Sequence, residues 1–229
     1  PIVFCNNIVY GAGLYDYGYS SYKKVEDNIF KRSGGTSQGT NRIYIKAGQV
    51  GYGGAPKMRV SIKNNMIEKG YLEIDTWTDI NNSSSTTHKG VKIDVSGNTI
   101  SRNDYYDLLR FSYRNGNSNQ SLPLDSTNIT IDNNTITGRN MSGRMYVDIG
   151  DNPSKVMIRN NTLQGLNYGM YIETDKVSRF KIENNTIDST YYNGIRLWKG
   201  NSTITGNTLK YCGRYNWSST DFNGIYLNS

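Results

Sequence analysis

The chain reads as an all-β protein, a right-handed single-stranded parallel β-helix of about eight coils carrying an asparagine ladder, and three observations predict it. The first is composition: of 229 residues only 35% are apolar and only 20% charged, while Asn occurs 29 times, Gly 24 and Tyr 19, against 4 Pro. Asn, Gly, Ser, Thr and Tyr are poor helix formers, and so low a charge does not describe a self-repelling disordered chain. An all-β chain with many turns remains. The second observation is a short motif that recurs eight times, and the third is a common in-out alternation in the segments that follow it.

The motif runs CNNIV at 5–9, EDNIF at 26–30, KNNMI at 63–67, SGNTI at 96–100, DNNTI at 132–136, RNNTL at 159–163, ENNTI at 183–187 and TGNTL at 205–209. Its last Asn recurs at spacings of 21, 37, 33, 36, 27, 24 and 22 residues. Propellers and helical repeats have nearly constant units, whereas a coil whose turns bulge into loops tolerates such variation. Before each copy lies a short alternating run, as in Val60-Ser61-Ile62, Ile129-Thr130-Ile131, Val156-Met157-Ile158 and Phe180-Lys181-Ile182. After it comes a further strand, often introduced by Gly, as in Gly169-Met170-Tyr171-Ile172 and Gly194-Ile195-Arg196-Leu197. Strand, Asn turn, strand, loop, strand is the grammar of a parallel β-helix. Coils then stack at about 4.8 Å, like residue over like.

Stacking explains the Asn excess. Asn tolerates the left-handed backbone that a sharp turn needs, and its amide can donate to one neighbouring copy while accepting from the other. Asn133-Asn134-Thr135, Asn160-Asn161-Thr162 and Asn184-Asn185-Thr186 also match a glycosylation pattern, but the ladder accounts for them. One domain spanning 1–229 is expected, with larger loops at 31–59, 76–90 and 112–127. Because the sequence begins at Pro1 without Met, it reads as a fragment of a longer chain.

Several chemistries drop out. The single His88 sits in the polar stretch NNSSSTTHKG, which rules out multi-His metal sites and reads as a solvated loop. Cys5 and Cys212 fall in the first and last coils, seven steps or roughly 34 Å apart, so free thiols are expected. No apolar run approaches the length of about 20 residues that a membrane span needs. The net charge of +7 favours an anionic partner, yet the basic residues are scattered and no nucleic-acid-binding pattern appears, so nucleic acid is not expected.

The NNTI-type ladder together with the G-I-x-L strands resembles the right-handed parallel β-helix of the pectin-lyase-like superfamily. That group includes polysaccharide lyases, glycoside hydrolases, epimerases and bacteriophage tailspikes. The resemblance extends from Cys5 to Asn228 and speaks to architecture, not to one activity.

The strands after the Asn turn fit one register. Core-facing and outward residues alternate in Ile43-Tyr44-Ile45-Lys46, Leu72-Glu73-Ile74-Asp75, Leu109-Arg110-Phe111-Ser112, Met145-Tyr146-Val147-Asp148, Met170-Tyr171-Ile172-Glu173, Ile195-Arg196-Leu197-Trp198 and Ile225-Tyr226-Leu227-Asn228. Two outward columns follow. One reads Tyr44, Glu73, Arg110, Tyr146, Tyr171, Arg196, Tyr226; the other reads Lys46, Asp75, Ser112, Asp148, Glu173, Trp198, Asn228. Aromatic faces on which sugar rings pack, beside fixed polar groups, make Tyr44, Glu73, Asp75, Arg110, Tyr146, Tyr171, Trp198 and Tyr226 the candidate substrate-binding residues. The competing reading is a structural ladder of cross-strand pairs.

Asp148 and Glu173 fall on successive coils in one column, with carboxyl groups about 5 Å apart, a separation that suits retaining glycoside hydrolysis. They are the candidate catalytic pair, with Arg196 beside them. The resemblance also allows Ca²⁺ at this pair, with Arg196 or Lys46 as base; no metal or cofactor is assigned. The expected function is recognition of a bacterial surface polysaccharide or teichoic-acid-like polymer by a tailspike-type module, at a virion surface or otherwise outside the cell. Whether the polymer is also cut stays open. The resemblance implies a homotrimer. A secreted lyase, hydrolase or epimerase, and a non-catalytic spacer or adhesin, remain as alternatives.

Overall fold

Alternation writes the strands and the Asn motif bends the chain between them. In the computed structural model of the protein, which describes residues 1–17, 22–31, 41–50, 58–79, 91–101, 107–115, 127–150, 154–174, 178–213 and 224–228, every coil contributes one strand to each of three sheets. The first coil comprises Ile2–Cys5, Ile8–Tyr10 and Leu14–Asp16, and the last Asn201–Thr205, Thr208–Lys210 and Ile225–Asn228. Each sheet has eight strands, all paired in parallel with the coils before and after, so the molecule is a parallel β-helix of eight coils. Of the loops expected at 31–59, 76–90 and 112–127, residues 32–40, 51–57, 80–90 and 116–126 lie outside the described residues, as does His88; the strand Asn41–Val50 falls within the first range, and the strands Gly70–Asp79 and Leu109–Asn115 run on into the other two, so the loops are shorter than expected.

The motif carries two jobs, and the structure gives them to different residues. The position before the ladder Asn takes the left-handed conformation, with φ of 59° at Asn6, 57° at Asp27, 67° at Gly97, 55° at Asn160 and 64° at Gly206. Asn, Asp and Gly are the residues that enter this region at least cost, which is why those three types fill the position. The following Asn builds the ladder. The backbone N–H and Nδ2 of Asn134 both donate to Asn161 Oδ1, at 2.9 and 3.0 Å, and Asn161 repeats the pattern on Asn185 Oδ1 at 2.9 Å. The second Nδ2 proton of Asn161 goes back to the Ile131 carbonyl of the preceding coil at 3.0 Å. Every polar atom of such an amide is used, so it can be buried without the cost of an orphaned donor. The ladder runs unbroken through Asn7, Asn28, Asn65, Asn98, Asn134, Asn161, Asn185 and Asn207.

Inside, the inward residues of the three sheets meet in one apolar column, with Ile45, Ile74, Phe111, Val147 and Ile172 all fully buried. One polar pair enters it near the first coil. Alternation along Tyr22–Glu26 turns Lys23 inward in register with Ile2 and Val60, and Asp16 occupies the inward position paired with Ile45. The Lys23 ammonium is fully buried and donates to Asp16 Oδ2 and to the Lys46 carbonyl, each at 2.5 Å. Burial pulls the lysine below its ordinary value, and Asp16 partly offsets this. Cys5 and Cys212 are free thiols.

Candidate functional site

The outer face of the third sheet is built from Asn41–Val50, Gly70–Asp79, Leu109–Asn115, Met145–Asp148, Met170–Glu173, Ile195–Trp198 and Ile225–Asn228, in the register expected from alternation. Tyr44, Glu73, Arg110, Tyr146, Tyr171, Arg196 and Tyr226 are successive partners along one column. Asp75, Ser112, Asp148, Glu173 and Trp198 follow one another along the second. The first-coil strand adds Tyr15, paired with Tyr44. Apart from the buried Tyr44, all the candidate site residues are half-buried, because their long side chains cover one another.

Two diagonals tie the columns together. Tyr146 Oη donates to Glu173 Oε2 of the next coil at 2.5 Å, and Tyr44 Oη donates to Asp75 Oδ2, again one coil on, at 3.5 Å. Burial together with the hydrogen bond to Glu173 pushes the Tyr146 and Tyr171 phenols above the ordinary tyrosine range, and burial with the nearby Asp75 does so for Tyr44. All three are therefore neutral donors across the physiological range. Asp148, in register with Glu173, accepts from the Gly150 backbone N–H at 3.0 Å.

Guanidinium groups lie over the rings. Arg196 sits 5.0 Å from the Tyr171 centroid, 5.3 Å from Tyr226 and 5.5 Å from Trp198, and Arg110 lies 5.7 Å from Tyr146. Two arginines that alternation alone does not place in the columns complete the lattice. Arg144 lies 4.4 Å from the Tyr146 ring and 4.7 Å from Tyr171 while bonding Asp107. Arg42 covers the Tyr44 ring at 4.6 Å and pairs with Glu73. Tyr168 and Tyr192 extend the aromatic path sideways, their rings stacked at 4.8 Å, with Tyr168 edge-on to Tyr171 at 5.3 Å. A signal for these existed: Arg42 and Arg144 immediately precede the core residues Ile43 and Met145, and Tyr168 precedes the Gly that opens its strand.

The geometry yields a long face of ring edges, guanidinium groups and hydrogen-bonded carboxylates, able to present planar apolar surface and fixed donors to an elongated ligand. Among the described residues, no group of three or more His, Cys, Asp and Glu gathers to hold a metal ion, and no helix is long and apolar enough to cross a membrane. The class that the coordinates define is a parallel β-helix with an asparagine ladder and a tyrosine-arginine outer face. Compared with protein-family models, curated proteins and solved structures, the chain matches none.

Proposed function

We propose that this β-helix recognises an extended bacterial surface glycan, a polysaccharide or a teichoic-acid-like polymer, along the outer face of its third sheet. The observation that carries this reading is the unbroken register of Tyr, Arg, Trp and carboxylate side chains over successive coils, with Arg196 shared between Tyr171, Tyr226 and Trp198. Sugar rings stack on aromatic faces, and carboxylates and guanidinium groups bond their hydroxyls, so a linear polymer gains a similar contact at each coil. The pectin-lyase-like resemblance and the tailspike-type role, with assembly into homotrimers at a virion surface or otherwise outside the cell, belong to this proposal. A panel of capsules, lipopolysaccharides and teichoic acids tests it by direct binding. Tyr171→Ala and Arg196→Gln should each weaken the captured polymer by about tenfold or more; unchanged binding in both moves the site elsewhere. Sedimentation of the chain as a monomer would remove the trimeric tailspike part.

A second reading, cleavage of the bound polymer, rests on Asp148 and Glu173 being in register on adjacent strands. A separation of about 5 Å, expected of like side chains on adjacent strands, is that at which one carboxyl group acts as acid and the other as nucleophile. Arg196, on the coil after Glu173, would hold the bound sugar through charge-assisted hydrogen bonds to its oxygens. Product sizing on any polymer that is cut decides the matter: Asp148→Asn and Glu173→Gln should each abolish turnover while leaving binding. Full turnover in both variants would retire the pair.

A further inference from the structure

Among the described residues, the only charged side chains that are buried are Lys23 and Asp16, and they face each other inside the apolar column. Ion pairs such as Lys63–Asp94, Arg159–Asp132 and Lys181–Glu183 stand instead on the outer faces, in contact with water. Register explains the meeting. Asp16 ends the first-coil strand Leu14–Asp16 at the inward position that Ile45 takes one coil on, and Lys23 holds the inward position between Ile2 and Val60. The neighbouring coils fill both places with apolar residues. Neither the third-sheet face nor the cleavage proposed there uses this pair.

The Lys23 nitrogen lies 2.5 Å from Asp16 Oδ2 and donates a second hydrogen bond to the Lys46 carbonyl at 2.5 Å. Because Oδ2 is bonded to Cγ, the nitrogen stands within reach of the carboxyl carbon, and two groups so held react as if at very high concentration. Burial keeps the ammonium below its ordinary value, which raises the share of free amine, the form with a lone pair to give. An ion pair in an apolar core carries a desolvation penalty that a neutral amide largely escapes. Excluded water also leaves nothing to reverse the bond.

We propose that Lys23 and Asp16 condense into an intramolecular isopeptide bond that staples the first coil to the second. One ammonium proton passes to the carboxylate, and the freed Nζ lone pair attacks Asp16 Cγ to form the C–N bond. As the tetrahedral intermediate collapses, a C–O bond breaks and the oxygen leaves as water, taking a second proton from the nitrogen. Ammonium and carboxylate become amide and water, with no oxidant, reductant or co-reactant. The proton left on the nitrogen keeps the Lys46 carbonyl as its acceptor. The freshly folded chain holds the ion pair, and the amide accumulates as the folded chain stands. The staple falls where apolar contact is thinnest: the inward Phe4, Val9 and Leu14 of the first coil are half-buried, whereas Val25, Phe30 and Ile43 of the second are fully buried.

Intact mass spectrometry of the whole chain, denatured after standing folded in neutral buffer, tests the bond. The wild-type mass should fall by one water molecule relative to the freshly folded chain, while a sample left standing in concentrated urea should keep its full mass. Lys23→Arg and Asp16→Ala should lose nothing. Chymotryptic cutting after Tyr17 and Tyr22 separates the two residues in sequence, so a branched peptide holding both locates the bond on the wild-type chain without recourse to a variant. Full mass in the wild type after standing overturns the inference. Equal loss of water in Lys23→Arg, or in urea, overturns it too, since an aspartate can dehydrate on its own backbone. A dehydrated wild type whose Asp16 and Lys23 peptides part on digestion does the same.

Discussion

Removing one rung of the ladder measures what the repeated Asn contributes. Asn161, 1% exposed, takes part in four side-chain hydrogen bonds: its Oδ1 accepts from the backbone N–H and Nδ2 of Asn134, and its Nδ2 donates to the Ile131 carbonyl and to Asn185 Oδ1. Asn161→Ala leaves two donors of the buried Asn134 without a partner, along with one acceptor contact of Ile131. At about 1–3 kcal/mol for each buried donor left unsatisfied, the expected cost is about 4 kcal/mol. The terminal rung is different. Asn7 is half-buried, and Asn7→Ala removes its donation to Asn28 Oδ1 while the Asn7 backbone N–H still donates there, so about 1 kcal/mol is expected. The adjoining Asn160 holds the left-handed turn, and glycine enters that conformation freely, so Asn160→Gly should stay within about 0.5 kcal/mol. Urea unfolding followed by far-ultraviolet circular dichroism and by tryptophan fluorescence gives the three values, provided both probes report one midpoint. If Asn161→Ala falls within 1 kcal/mol of Asn7→Ala, or Asn160→Gly proves the most damaging, the division of labour within the motif is wrong.

Three further outcomes follow from the same contacts. Lys23→Met removes the cation that faces the buried Asp16 carboxylate inside the first coils and should cost about 3 kcal/mol, whereas Lys23→Met/Asp16→Leu should recover most of the loss; equal destabilisation in urea melts would mean the pair itself holds the coil together. The Tyr146 phenol, raised by burial and by Glu173, should ionise above the bulk tyrosines in a near-ultraviolet absorbance titration, and Glu173→Gln should bring it down. Its folded value exceeds the unfolded one, so this contribution to stability is complete below about pH 10 and is lost as pH climbs through the folded value. Gly97→Ala, at φ 67° with its new Cβ 2.3 Å from Asn64 Oδ1, should lower the melting midpoint by an amount corresponding to about 2 kcal/mol, while an unshifted melt would show that the turn can relax.

Much of the architecture was legible because its signals are local. Alternation has a period of two, so the seven segments from Ile43–Lys46 to Ile225–Asn228 each announce which face is buried, and the structure pairs them in that register. The eight Asn motifs likewise count the coils. The role of the doubled Asn was read less well, since sequence alone assigns the turn and the ladder to one residue, whereas φ separates Asn160 from Asn161. At the candidate site, the columns were legible but the lattice was not. Arg42 and Arg144 lie two residues before Tyr44 and Tyr146, where alternation already puts them on the same face, whereas only stacking of coils brings Arg144 over Tyr171 and Tyr168 against Tyr192.

The sequence by itself determined that this protein coils, how many times, and which side chains face out, because each of those follows from periodicity and turn chemistry within a few residues. Tertiary structure alone decided who touches whom across coils: Lys23 with Asp16, Tyr146 with Glu173, Arg196 with four rings, and Lys63 with Asp94 and Arg159 with Asp132 on the first sheet. The physical reason is that these partners stand a coil or part of a coil apart in sequence, joined by loops of unequal length, and side-chain reach and angle across a step of about 4.8 Å choose among several neighbours that the register alone leaves equivalent.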